Sequence, residues 1–247
     1  MKIILSPTKK MRRDQDSLPV EALPALLPKT RVLLHFLRSL SPQALTELWG
    51  CNEKIAQQNL ERLADMDLTA GLSPAILSYE GIAFQYMAPT VFSDSQLQYV
   101  QQHLRILSGF YGVLKPLDGI TPYRLEMQAR ASVEGHRDLY DFWGDALYRE
   151  VGGGTILNLA SKEYSQCISR YLRPEDRMVT CVFGEMVGGK LRQKGTFAKM
   201  ARGEMVRYLS EIGASSPEDC RGFQGLGFRF REDLSTAAEY IFERIPE

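Results

Sequence analysis

The sequence predicts an α+β fold built as one compact domain over residues 1–247. Two observations carry that prediction: short apolar runs suited to buried strands alternate with longer segments whose apolar residues recur at helical spacing, and no internal repeat is present. A hydrophobic content of 44% over 247 residues is enough to bury a sizeable core. Thirty basic and thirty acidic residues cancel, so affinity for nucleic acid must come from local asymmetry and not from net charge. The longest apolar runs fall far short of a membrane span, and Lys2-Ile3-Ile4-Leu5 is too brief for a signal-peptide core. A soluble, cytoplasmic protein is expected.

Along the chain, Lys2 to Leu5 reads as a buried strand, and Ser6-Pro7-Thr8-Lys9 leaves it in a loop that runs into Lys10, Arg12 and Arg13. Three helices are predicted over Lys29–Leu40, Pro42–Trp49 and Asn52–Met66, the second entered through a Ser41-Pro42 cap and first-turn pair. Ser73-Pro74 starts a short helix that Gly81 ends, and the aromatic segment Ile82–Tyr86 fits a strand. Leu139 to about Glu150 forms a helix stopped by Gly152-Gly153-Gly154. Those glycines lack a following Gly-Lys-Ser/Thr at the spacing of a triphosphate-binding loop, so they read as a flexible connection into the strand Thr155–Leu159. Arg177–Phe183 is another strand, and Gly227–Arg231 with Glu239–Arg244 forms a terminal hairpin.

The block His103–Met127 is the most distinctive stretch. Leu97, Val100, Leu104 and Leu107 fall at helical spacing, which predicts a helix from a Ser93 cap to about Gly109. Gly109 and Gly112 then permit a hairpin whose backbone N–H groups would face an anion such as a DNA phosphate, with Arg105, Lys115 and Arg124 supplying charge. The order Leu-Ser-Gly-Phe-Tyr-Gly-Val is similar to a degenerate helix-hairpin-helix element; an ordinary helix C-cap and turn is the competing reading.

The strongest charge imbalance lies between Lys190 and Tyr208, where Lys190, Arg192, Lys194, Lys199, Arg202 and Arg207 stand against Glu204 alone. A helix over Phe197–Ile212 gathers Phe197, Ala201, Met205, Tyr208 and Ile212 on one side and sends Lys199 and Arg202 outward from the other. Such cations replace the counterions of a phosphate backbone; the alternative is a solvated helix face. Ser6-x-x-Lys9 has the spacing of a serine–lysine acyl-transfer pair but lacks its supporting Lys-Thr-Gly, since Lys194-Gly195-Thr196 has the wrong order. Glu80, Glu126, Asp141, Asp145 and Glu163 are candidate acid–base carboxylates, with caps and surface ion pairs as the ordinary alternative. Cys51, Cys167, Cys181 and Cys220, like His35, His103 and His136, are scattered and form no metal-ligand spacing; no cofactor or metal is expected.

Taken together, Ser6-Pro7-Thr8-Lys9, the His103–Met127 block, Leu139-Tyr140-Asp141-Phe142-Trp143-Gly144-Asp145, Asn158-Leu159-Ala160-Ser161-x-Glu163-Tyr164 and Ala198-Lys199-Met200-Ala201-Arg202-Gly203 resemble the YaaA family of peroxide stress resistance proteins over nearly the whole chain. The resemblance implies a cytoplasmic DNA-binding protein of the oxidative stress response, a compact mixed fold described as cantaloupe-like, a positively charged cleft, a helix-hairpin-helix motif and a role in limiting the damage done by peroxide with intracellular iron. It carries a DNA-facing role onto Lys9, Arg105, Lys115, Arg124, Lys199 and Arg202, which lie inside the matching blocks; Lys10, Lys190, Lys194 and Arg207 join them on charge. Thr8 departs from the commoner alanine, and Met200 stands where some relatives carry lysine.

The leading expectation is therefore sequence-independent binding of duplex DNA, with bent, branched or partly unpaired structures as candidates. An enzyme acting on a nucleotide, nucleobase or nucleic acid is the alternative, using Ser6, Lys9, Arg124, Glu126, Asp145 and Asn158 if they converge in a closed pocket. A third reading, a peroxide or iron sensor, requires an exposed thiol beside cations.

Overall fold

The computed structural model describes residues 1–245. Strand β1 (Lys2–Leu5) is the apolar start the sequence predicts, with Ile3 and Ile4 entirely buried. The two-residue strand β2 (Lys10–Met11) precedes three helices, α1 (Leu27–Ser39), α2 (Pro42–Trp49) and α3 (Glu53–Ala64). Helices α2 and α3 start directly after their cap residues: the Ser41 hydroxyl accepts from the Ala44 N–H and the Asn52 side chain from the Ile55 N–H. A compact turn then brings β3 (Ser73–Pro74), α4 (Ala75–Ser78) and β4 (Tyr79–Glu80).

The segment expected as a strand, Ile82–Tyr86, is instead helix α5 (Ile82–Met87). Ala83, Phe84 and Met87 turn to one buried side there, a helical spacing that the cluster of aromatic residues masks in the sequence. Helix α6 (Asp94–His103) opens with the expected Ser93 cap, completed as a capping box by Gln96. It ends well before the predicted stop near Gly109, because Leu104–Ser108 is strand β5. All five residues of β5 are buried, as befits a strand covered on both faces. A β-hairpin then joins β5 to β6 (Gly112–Leu114), so the helix-hairpin-helix expectation is not met. After β7 (Gly119–Ile120) come α7 (Leu139–Trp143) and α8 (Ala146–Val151), separated at Gly144 by a positive φ of 52° where one continuous helix was expected. The remaining elements are β8 (Thr155–Asn158), α9 (Lys162–Ser169), the long β9 (Arg177–Val187), β10 (Lys190–Arg192), α10 (Gly195–Glu211), β11 (Phe228–Phe230) and β12 (Glu239–Arg244).

One mixed sheet of eight strands organises these parts, in the order β11-β12-β9-β8-β1-β5-β6 with β10 paired onto β9. The five strands β12, β9, β8, β1 and β5 are mutually parallel, while β11, β10 and β6 are antiparallel additions. The α+β prediction is thus met, with the terminal hairpin β11–β12 also as expected. From β1 the chain goes to its neighbour β5, whereas from β8, on the other side of β1, it goes on to β9. Adjacent parallel strands β1 and β8 therefore send their chains in opposite directions, which opens a crevice beyond their carboxyl ends.

Helix α10 packs across α5 so closely that a Cβ on Gly203 would lie 1.8 Å from the Ala83 carbonyl oxygen. Only glycine allows that approach. Through it, α10 is held over the crevice.

Candidate functional site

Ser6 and Ser161 occupy equivalent places just beyond β1 and β8. The Ser6 hydroxyl donates to Ser161 Oγ at 3.2 Å and accepts from the Ser161 N–H at 2.8 Å, tying the two loops together. Around this pair lies a cavity of about 440 Å³, within the roughly 300–1,000 Å³ range of small-molecule sites. Its rim and walls take charge from Lys9, Lys10, Arg124, Lys199 and Arg202 and from Glu80, Glu126 and Glu163. Leu5, Pro7, Ile82, Tyr123 and Tyr164 supply apolar and aromatic surface.

The charges are not mixed evenly. Lys9 Nζ sits 2.7 Å from Glu126 Oε1, and Arg124 reaches within 4.0 Å of the same oxygen while donating to the Trp49 carbonyl at 3.3 Å. Glu163 accepts from the Gln128 N–H, and burial together with the neighbouring Glu126 charge raises its pKa above the usual carboxylate range. That end of the cavity is carboxylate-rich. Arg202 also lines the cavity, with no carboxylate among the groups acting on it; its guanidinium makes no hydrogen bond or ion pair among the described residues and its Nε has no contact with solvent. Burial lowers its pKa, and the one group opposing that shift is the Cys181 thiol.

Lys9, Lys10, Arg124, Lys199 and Arg202 are thus the expected site residues that the fold brings together. Lys199 is exposed as predicted, but Arg202 is turned into the cavity and not outward beside it, because α10 lays that face over the crevice. Lys190 and Lys194 lie on the β9–β10 hairpin and at the start of α10. Thr180 of β9 pairs with Asn158, the last residue of β8, so β9 runs seven residues farther and raises this hairpin at the same carboxyl edge as Ser6. Lys194 is paired with Glu185 at 2.6 Å. Arg207 lies farther along α10, bound to Glu211 at 2.9 Å.

The hairpin block is elsewhere and inside. Gly109 and Gly112 are buried; a Cβ on Gly109 would lie 2.6 Å from the Leu125 carbonyl, and Gly112 has φ +78° against the Trp143 ring. The Phe110 and Tyr111 N–H groups both donate to Ser108 Oγ, which leaves neither for a phosphate. Arg105 is 5% exposed and donates to the Gln101 and Leu104 carbonyls, with Glu150 and Asp118 nearby. Lys115 is exposed, but its charge acts on Lys2 together with that of Arg105, at the amino end of the parallel strands. Arg105, Gly109, Gly112 and Lys115 therefore lie outside this cavity, the first three buried in the fold and Lys115 exposed at the amino end of the strands.

Of the residues considered for catalysis, Ser6, Lys9, Arg124 and Glu126 do converge, whereas Asp145 and Asn158 do not. Asp145 pairs with Arg149 on the surface, and Asn158 is buried, bonding the Thr180 hydroxyl and the Ala160 N–H. The Ser6 hydroxyl is engaged by Ser161 and the Lys9 ammonium by Glu126, so the pair does not form a serine–lysine acyl-transfer arrangement. Cys51 is half-buried and the other three cysteines are buried, with Cys181 and Cys220 sulfurs 3.9 Å apart. Burial raises the pKa of Cys167 to about 12 and that of Cys181 well above its ordinary value. Among the described residues no three His, Cys, Asp or Glu side chains are grouped to hold a metal ion, and no helix is long and apolar enough to cross a membrane. Sequence reasoning misses Ser161, Tyr123 and Tyr164 as lining residues; the echo of strand-then-serine at Leu5-Ser6 and Asn158–Ser161 is the signal that points to the first of them.

Comparison with known proteins agrees with this reading of the motifs. The chain is 56% identical to a UPF0246 protein of Agathobacter rectalis over 246 residues, covering 99% of each chain. It is 52% identical to a UPF0246 protein of Lachnoclostridium phytofermentans, covering 98% of this chain and 96% of the relative, and 49% identical to one from Limosilactobacillus reuteri, covering 99% and 100%. A family model described as peroxide stress protein YaaA matches residues 1–234. Spanned almost end to end by that match, the chain belongs to the peroxide stress protein YaaA family.

Proposed function

We propose that this protein serves the peroxide stress response by binding DNA without base-sequence preference along the carboxyl edge of its sheet. The observation that carries the reading is the gathering of Lys190, Lys199 and Arg192 with Lys9, Lys10 and Lys194 on this one edge, where the first three have no acidic partner among the described residues. A neutral chain that concentrates unpaired cations in one place can neutralise phosphates there. Lys190, Arg192 and Lys199 are divided between a hairpin and a helix, an arrangement suited to contacts with the phosphate backbone, which carry no sequence information.

Fluorescence anisotropy with unrelated duplexes over a salt series tests the proposal. Neutralising about three or four phosphates gives a log–log salt slope near −3 to −4. Changing Lys190, Arg192 and Lys199 together to glutamate is expected to weaken every duplex at least roughly tenfold while circular dichroism stays native. Undiminished binding by the folded triple variant, or affinity indifferent to salt, would defeat the proposal.

The second reading, an enzyme acting on a nucleotide, nucleobase or nucleic acid, is favoured by one feature, the convergence of Ser6, Lys9, Arg124 and Glu126 in the cavity. Chromatography of nucleotides and oligonucleotides incubated with the protein checks it through the appearance of product that Glu126→Gln abolishes.

A further inference from the structure

The unpaired Arg202 asks what balances its charge. Arg202 is half-buried, and a guanidinium that is partly desolvated without a counterion is suited to a ligand that compensates it. Protein groups do not: Arg202 makes no hydrogen bond and no ion pair among the described residues, and its Nε is sealed from solvent. Arg124, whose side chain is only 10% exposed, shows a milder form of the same condition, with its own Nε unpartnered. Both open on the same cavity. Lys199, one turn before Arg202 on α10, opens on it as well.

The cavity also offers acceptors. Glu163 and Glu126 neighbour each other there, burial and then the Glu126 charge raising the Glu163 pKa, and Lys9 is paired with Glu126. The same cavity has apolar and aromatic lining from Pro7, Ile82, Tyr123 and Tyr164. A fitting ligand therefore carries an anionic group, hydrogen-bond donors and a flat, weakly polar body.

We infer that the cavity binds a nucleotide by its phosphomonoester, seated on Arg202 and Lys199, with the amino-bearing edge of the base toward Glu126 and Glu163. The fork of Arg202 donates two parallel bonds to a phosphate, a geometry that lysine alone does not offer. Ser6 and Ser161, already bonded to each other, form the fixed ledge beneath. The phosphomonoester is shared by a free mononucleotide and by the terminal nucleotide of a 5′-phosphorylated DNA strand. Binding in the cavity shares Lys199 with the DNA surface proposed above but uses neither Lys190 nor Arg192, so the two readings are told apart at that pair and at Arg202.

Calorimetric titration and thermal melting with adenosine 5′-monophosphate, adenosine and inorganic phosphate test it. The monophosphate is expected to bind and to raise the melting temperature, adenosine to bind at least roughly tenfold more weakly, and phosphate alone to compete. Arg202→Gln is expected to lose at least roughly tenfold in affinity for the monophosphate and to keep its weak response to adenosine. A folded Arg202→Gln protein that binds the monophosphate as the parent does overturns the inference, as does a parent that binds none of the three. Should that variant fail to fold, Lys199→Gln carries the same contrast, and unchanged discrimination between monophosphate and adenosine overturns it. Oligonucleotides with 5′-phosphate or 5′-hydroxyl ends separate the sources: a preference for the phosphorylated end exceeding the affinity for free monophosphate assigns the site to DNA ends, and the reverse assigns it to free nucleotide. The double change Lys190→Glu with Arg192→Glu, which spares Lys199, is expected to weaken duplex binding and leave monophosphate binding intact, so loss of the DNA surface and loss of the cavity site are read separately.

Discussion

Two arginines sit at opposite ends of the same parallel sheet, and their surroundings differ in a way that separates structure from recognition. Arg105, at the amino end, is 5% exposed, yet it donates to the Gln101 and Leu104 carbonyls and has Glu150 and Asp118 near it. Arg202, over the carboxyl end, has the Cys181 thiol for its neighbour and no bond from its guanidinium among the described residues. Both lie in motifs that resemble the family's, and both were expected to face DNA. A buried charge whose partners belong to the fold is a structural part; a half-buried one that faces a cavity without partners is suited to a ligand.

The largest effect is expected where the carboxyl end is assembled. Gly203→Ala drives a methyl into the Ala83 carbonyl, from which it would stand 1.8 Å, so α10 and α5 must separate. A loss above about 3 kcal/mol is expected in urea unfolding. Hydrogen exchange should show that opening at α5 and α10 while β5 and β6 stay protected. A variant that unfolds with the parent's midpoint would mean that the helix contact does not hold the crevice in shape.

Next comes the contrast of the arginines themselves. Arg105→Met leaves two carbonyls and two nearby carboxylates uncompensated, a loss of about 3 kcal/mol, whereas Arg202→Met removes an unbalanced charge and is expected to be neutral or to gain about 1 kcal/mol. Paired denaturation curves measure both. Equal destabilisation by the two changes would erase the distinction.

A smaller effect sharpens the amino end. Burial pushes the Asp118 carboxyl up to about 6, a shift opposed by the hydrogen bond it accepts from the Lys115 N–H and by the Lys115 and Arg105 charges. A raised acid pKa means that the stability contributed by the protonated form is fully present below the unfolded value near 4 and is lost as pH rises through about 6. Asp118→Asn keeps an acceptor for Lys115 without that titration. Its stability relative to the parent should therefore grow by something on the order of 2 kcal/mol between about pH 4 and pH 7. A difference between the two proteins that stays constant across that range would place the Asp118 carboxyl in an ordinary solvated setting.

The same contrast explains which parts of the fold were legible. Ser41-Pro42, Asn52 and Ser93 announce helices because a cap is a local hydrogen bond, made to a residue one turn away. Leu104 and Leu107 misled because a run of buried residues fits a helix as well as a strand at that length. The matter is decided by β1, where Ile3 and Leu5 pair with Leu104 and Ile106 from far along the chain. Likewise Ile82–Met87 has strand-like aromatics but a helical buried face, visible only when α10 is packed against it.

By itself the sequence determined the mixed α and β composition, the capped helices, the family motifs and the concentration of cations between Lys190 and Arg202, since each is written in spacing or residue type over a short span. Tertiary structure alone decided which of those cations meet. The reversal of chain direction between β1 and β8 opens the crevice, the seven-residue overrun of β9 raises the basic hairpin beside it, and the close approach at Gly203 lays Arg202 into it. Arg105 and Arg202 look alike in one dimension; desolvation and the partners that accompany it are properties of the folded surroundings, and those set the two apart.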